Sequence, residues 1–326
     1  MRIMAGSYSK INYRLRPAKG IERKMICDSL RCLNPFGELT TYRYVGFGST
    51  YFSDFILFHK SLHIEDMISI EKDKHAKERF EYNKPFGCIK IEYGASYEVL
   101  PTLEWSKKSI VWLDYDSPLE KTILDDIDTV TSKLVSGSVL IVTVSAEPER
   151  PPEEGFTKEE IDKFREKKLQ ERLPKEKITI DLKPIDLTGK KLANLYKRII
   201  NNQLEESVIN VNSAGSEEEK LNYKQIFNFR YADGSRMLTV GWLFFEQSYC
   251  NVAEQCNFSM HFNVTESDNA YEIQVPNLTL KEIQYLDSQM PTNDCDAVDR
   301  ICIPLKDVKC YAELYKYFPS FVEMFM

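Results

Sequence analysis

The stretch from Tyr42 to Asp73, YRYVGFGSTYFSDFILFHKSLHIEDMISIEKD, constrains the fold more than any other part of the chain. Tyr42 to Val45 is a short apolar and aromatic run suited to a buried strand. Gly46-Phe47-Gly48-Ser49 follows at once, and two glycines let a backbone bend sharply and let a ligand approach with no Cβ in the way. From Thr50 to Leu62, the residues Phe52, Phe55, Ile56, Leu57 and Leu62 form a broad helical face, with Ser49 or Thr50 as the N-cap. Met67 to Ile70 is a second strand, closed by Glu71. Strand, turn, helix and strand with a terminal carboxylate are the parts of a mononucleotide half-site. The helix N-terminus receives the ligand and the carboxylate accepts hydrogen bonds from a ribose diol. The alternative is a βαβ unit in which Gly46 and Gly48 serve only tight packing.

The glycine count selects among nucleotides. A GxGxxG turn would need glycine at Tyr51, and a tyrosine there leaves no room for the pyrophosphate of a nicotinamide dinucleotide. A shorter GxG turn, with a carboxylate about 20 residues later, suits S-adenosylmethionine, which carries no phosphate.

A chain of 326 residues accommodates one large α/β domain with decorations, or two small domains. No run approaches the ~20 apolar residues of a membrane span, and Met1 to Arg16 lacks the apolar core of an export signal. Eight scattered cysteines without a CxxC pair, and only four histidines, argue against structural zinc and for reduced thiols in a cytoplasm. His59 and His63 lie four apart on the first helix of the half-site, with no accompanying ligand set. A net charge of −7 disfavours a nucleic-acid coat. Arg14, Arg16, Lys19, Arg23 and Lys24 nevertheless cluster and could line a local basic groove or hold an anionic group.

Along the chain, residues 1–40 read as a basic segment followed by a helix that starts at Pro17 and carries Ile21, Met25, Ile26, Leu30 and Leu33. The core spans 41–145, with further strands at Cys88 to Tyr93, Ser109 to Leu113 and Ser138 to Val144, and a helix from Pro118 to Leu134. A charged, proline-rich excursion and a helical linker fill 146–222. Ala146 to Lys177 reads as a solvated helical face, or as a lid or a docking arm for a protein partner. Residues 223–326 open with a hairpin, Gln225 to Tyr231 and Met237 to Phe245 around Ala232-Asp233-Gly234-Ser235. Phe258 to Val264 and Tyr271 to Val275 are candidate strands, and Thr279 with Glu282 forms a capping box for a helix through Met290.

Taken together, Asn12-Tyr13-Arg14-Leu15-Arg16-Pro17-Ala18-Lys19, Ile21-Glu22-Arg23-Lys24, Tyr44-Val45-Gly46-Phe47-Gly48-Ser49, Met67-Ile68-Ser69-Ile70-Glu71 and Trp112-Leu113-Asp114-Tyr115-Asp116 resemble class I S-adenosylmethionine-dependent methyltransferases. More narrowly, they resemble bacterial proteins described as O-methyltransferases. The likeness implies a Rossmann-like, mostly parallel seven-stranded sheet finished by an antiparallel hairpin, with S-adenosylmethionine as donor. Residue by residue, the glycine turn maps to Gly46, Phe47, Gly48 and Ser49, the ribose carboxylate to Glu71, and the acid ending the fourth strand to Asp114. Glu92 and Ser96 are candidates on the adenine side.

Methyl transfer from a sulfonium asks the enzyme to align two reactants and exclude water. A hydroxyl acceptor also asks for a base. Asp114 and Asp116 are candidates for that work, directly or through a divalent ion, with Lys19 as a third catalytic candidate. Alternatively Asp114 orients the donor's amino group and Asp116 caps the next helix. A lysine–aspartate–lysine–glutamate set can be sketched from Lys19, Asp114 and Glu246 without a second lysine. No (D/N)PP(Y/F) motif follows the fourth strand, which disfavours methylation of DNA bases. The acceptor, whether small molecule, protein or RNA, is not encoded in any motif. The rival expectation is a methyltransferase-like scaffold without turnover in a multi-protein assembly, defence assemblies among them.

Overall fold

The computed structural model describes residues 16–151, 155–178, 181–265 and 269–319. The expectations placed on Asn12 to Leu15, and residues 179 and 180 of the linker, lie outside these. The apolar runs form β1 (Arg43–Gly46), β2 (Asp66–Glu71), β3 (Ile89–Tyr93), β4 (Ser109–Pro118) and β5 (Val139–Ser145), all mutually parallel. The hairpin strands β6 (Leu221–Ala232) and β7 (Arg236–Glu246) complete the sheet, with β7 antiparallel to both neighbours. A short β8 (Tyr271–Glu272) pairs parallel with β6, so the order is β3-β2-β1-β4-β5-β7-β6-β8, and the sheet has eight strands instead of seven. The expected strand at Phe258 to Val264 is absent. Phe258 and Phe262 are buried from a loop, where hydrophobic anchoring needs no ladder.

The helices are α1 (Pro17–Arg31), α2 (Ser53–Leu62), α3 (Lys77–Asn83), α4 (Ser96–Val99), α5 (Lys121–Thr131), α6 (Lys158–Arg172), α7 (Gly189–Val211), α8 (Cys250–Gln255), α9 (Leu280–Asp287) and α10 (Leu305–Leu314). Strand alternation divides the core into two layers. Ile110 and Trp112 of β4 face α1 and α2, whereas Val111 and Leu113 face α5 and α7. Both faces are covered, which is why these strands read as continuous apolar runs.

Three local features position the site. The N-terminus of α1 is tied to the hairpin turn, where Asp233 accepts hydrogen bonds from the Ala18 and Lys19 amides at 3.1 and 2.8 Å. This carries the start of α1 over the carboxyl ends of the strands. Second, β4 runs past Leu113 to Pro118, and its register against β5 shifts between Asp114 and Pro118. The bulge lifts Tyr115 and Asp116 off the ladder. Third, the charged excursion is anchored: Leu169 and Leu173 are buried against the α5–α7 layer, and Arg172 pairs with Glu149. The capping box at Thr279 forms as expected, but α9 stops at Asp287. The tail packs back onto α1, where Lys24 Nζ donates to the carbonyls of Tyr317 and Phe318 at 3.1 and 3.2 Å.

Candidate active site

The carboxyl ends of β1, β2 and β4 bring the glycine turn, Glu71 and Asp114 to one edge of the sheet, where open parallel sheets bind ligands. At the turn, the Gly48 amide donates to Ser69 Oγ at 3.0 Å, and that hydroxyl donates to Glu71 Oε1 at 2.8 Å. The amides of Gly48 and Ser49 also face the carboxylate. Burial pushes the Glu71 carboxyl up to about 7 against these hydrogen bonds, which favour the ionised form.

The two glycines are required by packing. A Cβ on Gly46 would lie 2.5 Å from Tyr44 Oη, and one on Gly48 would lie 2.5 Å from the Phe52 ring and 2.6 Å from Ser69 Oγ. The sharp bend is taken by Ser49 and Phe52 instead, both in the left-handed region at φ 49° and 46°. Phe52 is also the N-cap residue of α2, in place of the expected Ser49 or Thr50, and no side chain caps that helix. Gly48→Ala is therefore expected to destabilise the protein by about 1–3 kcal/mol through overpacking, read as a fall in the thermal unfolding midpoint.

Around β4, Lys19 Nζ lies 2.7 Å from Asp114 Oδ1 and 2.8 Å from Glu22 Oε2. It also sits over the rings of Trp112 and Tyr231, at 4.5 and 5.6 Å from their centroids. The Lys19 side chain is only 2% exposed, Glu22 is fully buried, and the Asp114 side chain is 25% exposed. Burial raises the Glu22 carboxyl, and the neighbouring ammonium opposes it. Asp114 is thus the member of the trio that reaches the cleft. Asp116 is exposed on the bulge, and α5 takes Glu120 as its N-cap residue, so the helix-capping role falls away.

The adenine-side candidates divide. Ser96 Oγ and Tyr115 Oη both donate to Asp126 Oδ2, at 2.5 and 2.6 Å, and Phe47 meets the Tyr115 ring edge-on at 5.2 Å. Glu92 instead pairs with Lys90 and lines a cavity of about 760 Å³ with Arg43 and Asp66, which begin β1 and β2. Glu246 is excluded from the sketched tetrad: it ends β7, and its amide donates to Ser136 Oγ beside the start of β5, across the sheet from Asp114. The expected basic groove is largely consumed, since Arg16 approaches Asp233, Lys19 is buried and Lys24 holds the tail. His59 Nδ1 lies 2.9 Å from the Ile64 carbonyl, beside the C-terminus of α2. Among the described residues, no three His, Cys, Asp or Glu side chains converge as metal ligands. Asp126 escaped the sequence reading, and Glu22 entered it only within the residues of the likeness and without a role, although each is an acid at a buried register of an amphipathic helix.

A family model described as "Putative O-methyltransferase" matches residues 11–326. The chain belongs to this family. No curated protein matches significantly. Among solved structures, Trm1 from Pyrococcus horikoshii, in complex with S-adenosyl-L-methionine, is 11% identical over 75% of this chain and 58% of that one, with a TM-score of 0.46. The N-methyltransferase NodS from Bradyrhizobium japonicum WM9, in complex with S-adenosyl-L-homocysteine, is 10% identical over 68% and 87%, with a TM-score of 0.36. A mutant of MtNAS is 10% identical over 32% and 37%, with a TM-score of 0.25. This O-methyltransferase family member therefore spans less than two thirds of the length of MtNAS and of Trm1. No helix among its described residues is long and apolar enough to cross a membrane.

Proposed function

We propose that this chain transfers a methyl group from S-adenosylmethionine to an oxygen of its acceptor, in the cytoplasm. The observation that carries the reading is the Lys19–Asp114 pair, set at 2.7 Å at the end of β4 and sharing one sheet edge with the glycine turn and Glu71. The residues fit the donor's chemistry: a carboxylate braced by turn amides suits a ribose diol, and a partly exposed, fixed carboxylate suits an ammonium. When bound, the donor supplies an electrophilic methyl group on a sulfonium. Glu71 holds the sugar hydroxyls, and Asp114, fixed by Lys19, holds the amino group. Lys19 is then a positioning residue. Asp116, exposed on the bulge, takes up the proton of the acceptor hydroxyl. The eight unpaired cysteines accord with a reducing compartment.

Calorimetry with S-adenosylmethionine, S-adenosylhomocysteine and NAD tests this reading. The two sulfur compounds are expected to bind and NAD is not. Asp116→Asn is expected to lower turnover while leaving S-adenosylhomocysteine affinity unchanged.

A second reading, a scaffold without turnover whose excursion around α6 docks a protein partner, is favoured by one observation. Packing against Tyr44, Phe52 and Ser69 accounts for both glycines, and Glu71 is only 6% exposed. Absence of binding by either sulfur compound would select it.

A further inference from the structure

Strand β3 (Ile89–Tyr93) ends the sheet. It pairs parallel with β2 in an unbroken register, and among the described residues no strand lies on its other side. The Gly94 amide donates to the Glu71 carbonyl at 3.1 Å. Parallel ladder bonds use alternate residues, so Lys90 and Glu92 also bond inward to β2, and the backbone groups of Ile89, Ile91 and Tyr93 point outward. The Ile89 amide is taken up locally by the Phe86 carbonyl at 3.3 Å. That leaves the Ile91 amide and carbonyl, the Tyr93 amide and the Ile89 carbonyl along the outer edge.

An edge of this kind is a template for another strand unless a proline, a bulge or repelling charges block it. β3 contains no proline and no bulge. Its two charges have opposite signs: Lys90 and Glu92 share one face, 2.5 Å apart, with side chains 73% and 31% exposed. Ile89 and Ile91 turn to the layer of α1 and α2, and alternation puts Tyr93 on the same side. The order Ile-Lys-Ile-Glu-Tyr is its own complement. When a second copy runs antiparallel about a two-fold axis at Ile91, each Lys90 stands opposite the second copy's Glu92, and each Ile89 opposite its Tyr93. Opposite charges and aromatic–β-branched pairs are the cross-strand pairs that stabilise a sheet. The same register satisfies the backbone. The two Ile91 residues exchange amide and carbonyl, and each Tyr93 amide meets the second copy's Ile89 carbonyl.

We propose that this chain forms a two-fold dimer in which the β3 edges of two copies join into one continuous sheet. A two-fold axis makes the contact isologous and closes the assembly at two chains. The antiparallel junction sends the carboxyl ends of the two sets of parallel strands, and with them the two candidate sites, to opposite ends of the joined sheet. The proposal does not depend on the donor reading.

Sedimentation equilibrium of the full chain tests it with charge reversals. The parent is expected at twice the chain mass at about 100 μM, a concentration that reveals a micromolar contact. Lys90→Glu and Glu92→Lys are each expected to weaken association about tenfold to a hundredfold, because each turns two attractive cross-strand pairs into repulsive ones. Each should keep the parent's circular dichroism, since a surface pair contributes little to folding. Two further samples complete the test. The double variant Lys90→Glu/Glu92→Lys is expected to dimerise as the parent does. An equimolar mixture of the two single variants is expected to form a mixed dimer, because one presents two carboxylates along the edge and the other two ammonium groups. A parent that stays monomeric overturns the proposal and leaves the edge to solvent or to a strand from a different protein. A dimer insensitive to both reversals, or single variants that fail to associate when mixed, overturns this register as the interface.

Discussion

Glu71→Gln is expected to weaken S-adenosylhomocysteine binding on the order of a hundredfold and, at the same time, to stabilise the ligand-free protein above neutral pH. The opposite signs have one cause. In the proposed donor site an ionised Glu71 accepts from two sugar hydroxyls, each such bond contributing about 1.5–3 kcal/mol, and a glutamine replaces that acceptor pair with one oxygen and a donor. In the free protein the same ionisation is unfavourable. Burial raises the carboxyl from its ordinary 4.5 to about 7, so the folded state holds a proton that the unfolded state has released. Its contribution to stability is fully present below 4.5 and is lost as pH rises through about 7, in total about 3 kcal/mol. Parent affinity should accordingly strengthen as pH rises through about 7, while parent stability declines over the same interval. Both dependences should flatten in Glu71→Gln. Calorimetry and thermal unfolding across that range measure the two curves. A variant that binds as the parent does would remove Glu71 from the donor site.

Lys19→Met is the second large effect. Removing the ammonium leaves Glu22 and Asp114 without the cation between them, one fully buried and the other largely so. Breaking a buried pair in this way costs about 3–5 kcal/mol. Turnover should fall about a hundredfold or more, because an unheld Asp114 no longer fixes the donor, and misplacement by an ångström is enough for such a loss. Stability and function are separated by adding Glu22→Gln. The double variant is expected to recover most of the melting midpoint and none of the turnover. Full recovery of turnover would mean that Lys19 contributes only to folding.

The division between sequence and structure follows a physical line. Hydrophobic periodicity and turn chemistry are local, so the βαβ unit, the first five strands and the hairpin could be read from residue order. The same holds for Pro17 at a helix start and the capping box at Thr279. Glu71 and Asp114 could be placed at strand ends because a parallel strand's end is itself a local feature. Contacts between distant segments could not be read. The chain alone did not show that Asp233 caps α1 from the hairpin, that β4 bulges after Asp114, or that β8 adds an eighth strand. Glu246 looked suitable until β7 ran antiparallel and carried it to the far end of the sheet. Composition showed two glycines in a turn, but only packing against Tyr44, Phe52 and Ser69 explained why no larger residue fits. The sequence by itself determined which residues carry charge and which elements present them. Only the tertiary structure decided which charges are neutralised, because pairing depends on side chains that are distant in order and a few ångströms apart in space. That is why Lys19 meets Asp114, 95 residues further along the chain.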